Sequence, residues 1–477
     1  MKKVITLLLI FSLALGLCAC GGGGAAGGKD GLQVGFGRCS ILPDTDVHIG
    51  GGDVTSRKSE GYLDELFATC IAMTEGDKTI LLYTLDSITV SNKVYEAQER
   101  ISQQTGIPAE NIILNCTHTH SAPTMSNSAD GAYVEKFWQA CADAATAAIA
   151  DQTAATVYYG VSETENVNFI RHYYDAAGNP VGTHQGVLAD AVEHEYDANE
   201  DVQVNRFVRE GEDKKDVVLM NFGTHPHIVS QKYKASLSAD WPGAARSYVE
   251  ENSDTLCAVF QSNAGDTTPH TKFPDLSPAG YQLDHVAIGN SVGEVCVSVL
   301  NGEMTKAEGS GISLSVKTYT NASMKEGIDN DELMSQAANI NALRSQYGSS
   351  HALVEQAVAA SDIDTIYEAT GLINRQNRPD TCSMNLHALA VDGVSFIFAP
   401  FEMFTSTGEY VKENSPYDMT FVVSVSETPE GHMGYIPDLN GCEKNYYEYD
   451  VTQFARGTAE EVAKVYVEML TEIKNAG

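Results

Sequence analysis

Asn111-Ile-Ile-Leu-Asn-Cys116-Thr117-His118-Thr119-His120-Ser121-Ala122-Pro123 joins a short apolar run to a polar string rich in imidazole and hydroxyl groups. The apolar half is too short for a helix and reads as a buried strand. Histidines two apart in an extended segment point the same way. Spacing alone leaves three readings open. Both rings face one metal, or one binds while the other serves the reaction, or both are surface loop residues.

Working outward, the pattern recurs. Residues 217–222 form an apolar run that enters Gly223-Thr224-His225-Pro226-His227. Pro226 restricts the backbone beside the His225 imidazole, and such a residue is commonly a structural histidine. Residues 256–261 enter Ser262-Asn263-Ala264-Gly265-Asp266-Thr267-Thr268-Pro269, which by itself reads as an Asn/Gly/Asp turn. Residues 394–399 enter Pro400-Phe401-Glu402. Glu402 is a zinc ligand, a base of raised pKa, or a carboxylate at a helix N-terminus. Residues 421–425 lead into Glu427-Thr428-Pro429-Glu430-Gly431-His432-Met433-Gly434-Tyr435, where Tyr435 reads most simply as a packed aromatic. Each string is weak alone, and their order along the chain is what adds weight.

Residues 79–85 are a further strand, and 92–104 and 133–150 are helical. Residues 176–199 hold Gly, Asp and Asn clusters and read as a long loop. Residues 331–373 read as a polar helical insertion, and 459–474 as a last helix. Strands alternating with helices predict an α/β fold of mixed β-sheets flanked by helices. It is read as one large catalytic domain over 31–477. In α/β proteins, sites collect beyond the carboxyl ends of strands, where these polar strings stand.

The formal net charge is -34 with no basic patch, which argues against a nucleic-acid partner. The acidity reads as solubility, and an anionic membrane surface would repel the body. At the start, Met1-Lys2-Lys3 precedes an apolar stretch over 4–17 that is too short to read first as a membrane span. It ends in Leu17-Cys18-Ala19-Cys20, which resembles the lipobox of bacterial lipoproteins. That implies a signal peptide over 1–19, a lipid on Cys20, and a Gly-rich tether over 20–30. The expected location is the extracytoplasmic face of the cell membrane, held by the lipid. The alternative is an ordinary signal peptide with an incidental cysteine. Cys39, Cys70, Cys116, Cys141, Cys257, Cys296, Cys382 and Cys442 contain no Cys-x-x-Cys pair, which excludes a zinc ribbon. Export permits disulfides. However, Cys70, Cys116, Cys257 and Cys296 lie in apolar runs, where a free thiol behaves as a small hydrophobe, and no pairing is assigned.

Over 34–459 the chain resembles the catalytic amino-terminal domain of the neutral/alkaline ceramidase family. The resemblance begins with Val34-Gly35-Phe36-Gly37, Leu42-Pro43 and Leu85-Asp86-Ser87. Cys116-Thr117-His118-Thr119-His120-Ser121 is similar to the family's most specific motif. Asn168 to Arg171 loosely resembles a family loop, and Asn221 to Pro226 its His-Pro motif. Leu237 to Gly243 resembles its Ser-x-Asp-x-x-Gly segment, and Asn263-Ala264-Gly265-Asp266 its Asn-x-Gly-Asp turn. The resemblance implies a zinc site ligated by His118, His225, Glu402 and Tyr435. Zinc-activated water would attack an amide carbonyl. His120 would stabilise the oxyanion or shuttle a proton, and Arg171 would orient a polar group of the substrate. Asp266 and Thr268 stand where the family has an Asp and a reactive serine, and are carried over as catalytic candidates. Three departures bear on ceramide as the substrate. Thr268 replaces the serine and its methyl crowds the site, Phe401 puts bulk beside a ligand, and the family's immunoglobulin-like carboxyl-terminal domain is expected to be missing. The implied activity is zinc-dependent hydrolysis of a C–N bond in a lipid or other N-acyl compound. The alternative is an inactive ligand-binding surface lipoprotein on the same fold.

Overall fold

The computed structural model describes residues 31–476 apart from 52–56, 91–92, 127–128, 182–189, 274–283, 310, 325–328, 349–350 and 445. The signal peptide, Cys20 and the tether up to residue 30 lie outside the described residues.

Two sheets stack face to face. The larger runs Thr255–Gln261, Asp216–Phe222, Asp201–Arg209, Thr153–Glu163, Gln33–Ser40, Phe67–Glu75, Lys78–Leu85, Ile112–Asn115 and Ser426–Glu427, with Thr305–Lys306 paired to the 153–163 strand. The smaller runs Ile312–Ala322, Thr381–Val391, Val394–Phe398 and Thr420–Val423. Both mix parallel and antiparallel neighbours.

Strand alternation explains the layering. On the 78–85 strand, Leu81, Tyr83 and Leu85 pack under the helices Val94–Thr105 and Gly131–Ala150. Ile80 and Leu82 point the other way, into a cluster with Phe396, Phe398 and Phe421 of the second sheet. Helices Asp240–Asn252 and His285–Asn301 cover the other half of the larger sheet through Trp241, Val249, Ile288 and Val292. Helix Thr458–Ala476 covers the smaller sheet through Val462, Tyr466 and Leu470. The order is therefore helices, sheet, sheet, helices. Each such aliphatic side chain contributes about 1.5–3 kcal/mol when fully buried. The Ala-rich 131–150 helix lies so close to the 33–40 strand that a Cβ on Gly35 or Gly37 would meet backbone oxygens of Ala148 or Ala144 at 2.0 Å. Small residues on both partners permit that approach.

The strands and helices read from apolar runs are present, and the fold is α/β with mixed sheets as expected. Residues 331–377 form the helices Asp331–Tyr347, Ala352–Ala359 and Ile366–Asn377 around Ile340, Val354 and Leu372. The 176–199 loop needs correction, because Ala191–His194 is a strand paired with Tyr173–Asp175. All eight described cysteines are free, and Cys70, Cys116, Cys257 and Cys296 are buried. Among the described residues no helix is long and apolar enough to cross a membrane.

Candidate metal centre

The two sheets are sewn together where their strands end. Cys116 N–H donates to Val425 O (3.1 Å), Ser424 N–H to Gln261 O (2.9 Å), and Ser426 N–H to Ala399 O (2.8 Å). The chain crosses from one sheet to the other at Val425, whose φ of 56° is rare for a β-branched residue. The polar strings after residues 115, 222, 261 and 398 consequently meet at one seam.

Imidazole nitrogens of His118, His120 and His225 lie within 4.8 Å of one another, a group that could hold a metal ion. His118 is not in an extended segment, as the spacing argument assumed, but has φ 66°. That left-handed turn still brings its ring to 5.1 Å from that of His120. His118 Nδ1 sits 2.8 Å from Ile88 O, and His225 Nδ1 3.1 Å from Ala264 O. Each carbonyl fixes the proton on Nδ1 and leaves Nε2 directed inward, the arrangement of metal-ligating histidines. His120 Nε2 is 3.0 Å from His225 Nε2.

Glu402 completes the group. Its Oε2 lies 3.2 Å from His118 Nε2 and 3.9 Å from His225 Nε2. That oxygen is buried without a hydrogen-bond partner among the described residues, which is costly for a carboxylate unless another positive partner meets it. Glu402 belongs to a short strand, Glu402–Met403, not to a helix terminus, and stands opposite Tyr435 in parallel register. Burial pushes the Glu402 carboxyl up, but His118, His432 and His225 hold it well below the usual range. Burial opposes the charge on His118, and Glu402 raises it. Burial and the neighbouring rings depress His225, while burial and His118 bring His120 down to about 3. His225 and His120 are thus held neutral and Glu402 ionised, with the His118 ring paired to that carboxylate; imidazoles, a carboxylate and a phenol form a set that suits a borderline cation.

The remaining candidates fall in two places. Tyr435 lies with Glu402, and the Arg171 guanidinium is 5.1 Å from the centre of its ring. Arg171 is only 1% exposed and is paired with Glu448, so its contacts are internal. Asp266 is engaged by neighbouring groups. Its carboxylate accepts from Thr405 N (2.9 and 3.1 Å), Thr405 Oγ1 (2.9 Å) and the Tyr196 hydroxyl. It braces the start of helix Thr405–Asn414, just past Glu402. Thr268 is buried opposite Phe169, with Oγ1 3.0 Å from His270 Nδ1. Phe401 points into the core of the second sheet, so its bulk is not beside the ligand position.

Two neighbours were not singled out from the sequence. His432 Nε2 is 3.5 Å from Glu402 Oε1. Arg57 donates to the backbone oxygens of Gly50 (2.6 Å) and His120 (3.0 Å), pinning the histidine loop. The only available signal for His432 was its position three residues before Tyr435, and nothing local marks Arg57.

The fold and this seam together define an α/β protein with a buried histidine–carboxylate centre between two stacked sheets. Among solved structures, two resemble this fold. One is a ceramidase complexed with C2, 15% identical, with a TM-score of 0.68 over 94% of this chain and 76% of that one. The other is a neutral ceramidase from Pseudomonas aeruginosa, 16% identical, with a TM-score of 0.67 over 94% and 75%. The fold of this chain is that of the neutral ceramidases, as the motifs led one to expect. No protein-family profile matches the chain, and no curated protein matches it by sequence.

Proposed function

We propose that this chain is a neutral ceramidase-like, zinc-dependent hydrolase of C–N bonds, acting on a lipid or other N-acyl compound. The observation that carries the reading is the buried Glu402 Oε2 facing the Nε2 atoms of His118 and His225, with the His120 ring grouped beside them. In this reading His118, His225, Glu402 and Tyr435 hold the zinc. Zinc held there supplies Lewis acidity and a water acidic enough to attack a carbonyl at neutral pH. His120, uncharged and beside the ligands, donates its N–H toward the oxygen that gains charge. Arg171 braces Tyr435 from behind, which is a supporting role rather than the substrate contact expected from the resemblance. Thr268 and His270 present a hydrogen-bonding pair to the substrate.

An inactive binding protein has no need of a full donor set, and the presence of all four donors supports the enzyme. The test is zinc measured on protein purified without added metal. About one zinc per chain is expected, with most of it lost in His225→Ala. Full occupancy in that variant, or none in the wild type, sinks the assignment. A wild type that binds zinc yet hydrolyses nothing in a broad screen of N-acyl compounds favours the binding protein.

We also propose that Cys20 carries a lipid that holds the domain at the extracytoplasmic face of the membrane, on the strength of Leu17-Cys18-Ala19-Cys20. Cys20→Ala should leave the membrane fraction and stay folded. Continued partitioning with membranes would overturn the anchor.

A further inference from the structure

Tyr435 is backed by a row of buried charges. Arg171 lies over its ring and also 5.9 Å from the centre of Tyr447. Arg171 Nε donates to Glu448 Oε1 at 2.7 Å, and its terminal nitrogen pairs with the same oxygen. Glu448 is 0% exposed. Its other oxygen lies 3.2 Å from His172 Nε2, and His172 Nδ1 lies 3.3 Å from Glu195 Oε2. Lys444 closes the row on Glu195. Burial opposes the charge on the His172 ring, but Glu448 and Glu195 raise it to about 9. Signs therefore alternate along the row: guanidinium, carboxylate, imidazolium, carboxylate, ammonium. The inner charges are desolvated and tolerable only while their neighbours stay in place, whereas Lys444 at the end of the row is part exposed.

Glu448 is also held from the outside. It belongs to a short helix, Tyr447–Val451, that the helical insertion grips. Arg375 of the 366–377 helix donates to Asp450 Oδ1 at 3.0 Å. A Cβ on Gly371 would lie 2.4 Å from Asp450 O, so the two helices touch backbone to backbone. Tyr367 meets Tyr447 edge-on at 4.7 Å, and Tyr447 meets Tyr435 at 5.5 Å.

We propose that Glu448 is a positioning residue for the Tyr435 phenol, fixing Arg171 over the ring and so setting where the phenol oxygen stands beside Glu402. This rests on the reading of the site as a metal centre with Tyr435 among its ligands. A guanidinium at that distance also offsets negative charge on a phenol oxygen that ligates a cation. The insertion, through Asp450 and Tyr447, anchors the short helix from which Glu448 acts.

The test uses the full chain stripped of metal and titrated with Cu²⁺, whose bond to a phenol oxygen gives a visible charge-transfer band. The wild type should show the band, and Tyr435→Phe should lack it. Glu448→Gln should weaken or shift the band and bind zinc roughly tenfold more weakly, as loss of a supporting contact does. A stability effect alone would not move the band. If Glu448→Gln does not fold, Arg171→Lys decides, since lysine keeps the charge but cannot span both Glu448 and the ring. An unchanged band and zinc affinity in the folded variant overturns the positioning role alone. A wild type that binds neither metal overturns both this role and the metal centre.

Discussion

Gly265→Ala tests whether the turn after the 255–261 strand is a spacer for the metal centre or an incidental loop. A Cβ at Gly265 would lie 2.5 Å from Glu402 O and 2.9 Å from Glu402 C and Met403 O. These are backbone atoms, so no change of rotamer relieves the contact. Ordinary van der Waals contact begins near 3.4 Å, so the 402–403 segment must retreat by roughly 1 Å, a strain of the overpacking kind that costs about 1–3 kcal/mol. The retreat also stretches the Gly265 N–H bond to Met403 O, now 2.8 Å. Glu402 Oε2 then leaves its place 3.2 Å from His118 Nε2. A misplacement of about 1 Å can cost roughly 100-fold in function, so zinc affinity should fall by at least about tenfold. The assay is competition for zinc against a chelator of known affinity, with a thermal melt run in parallel. A melt lowered by a few degrees is expected from the strain. If the variant melts early but binds zinc as the wild type does, the spacer argument is refuted.

Thr268→Ser keeps the hydroxyl that meets His270 Nδ1 and removes a methyl. A methyl in a pocket is worth about 1–3 kcal/mol of discrimination, so this variant should raise turnover of ceramide over the wild type, and equal rates would count against a steric role for the methyl. His172 supplies a pH signature. Its folded pKa of about 9 lies above the roughly 6.5 of an unfolded histidine, so its contribution is fully present below about pH 6.5 and is lost as pH rises through 9. The loss is about 3 kcal/mol at most. The wild type should therefore lose stability between about pH 7 and 9 more steeply than His172→Asn, and parallel urea-unfolding curves across that window would exclude the account.

The strands were legible because burial on both faces leaves continuous apolar runs, as in 217–222 and 394–398, which are buried throughout. His118, His225 and Glu402 drew notice because each lies within a few residues of the end of such a run, whereas their reading as metal ligands, and that of Tyr435, rested on the family resemblance. What the sequence could not supply is which runs adjoin. Arg171 and Glu448 are 277 positions apart, and the imidazole of His172 meets the same carboxylate. No local pattern marks an acid inside Tyr446-Tyr447-Glu448-Tyr449 as the partner of a distant guanidinium. The geometry at His118 was misjudged for a related reason. A period-two argument holds only while the strand continues, and here regular pairing stops at Asn115. The left-handed turn that follows is set by the seam, where His118 N–H donates to Ser87 O at 2.9 Å. A carboxylate after Gly likewise looks the same in sequence whether it faces a substrate or, as Asp266 does, accepts from the first N–H of the next helix.

The origin of the donors explains why they gain meaning only together. His118 and His225 follow strands of the larger sheet, whereas Glu402 follows a strand of the smaller one and Tyr435 pairs beside it. Between the sheets lies a buried aromatic and aliphatic layer that includes Leu82, Phe260, Phe396 and Phe398. That layer fixes the distance between the sheets, and with it the separation of the imidazoles from the carboxylate. A cation at the seam would bridge the two sheets, and a ligand that binds only the folded state stabilises it, by about 2.7 kcal/mol at one hundred times its dissociation constant.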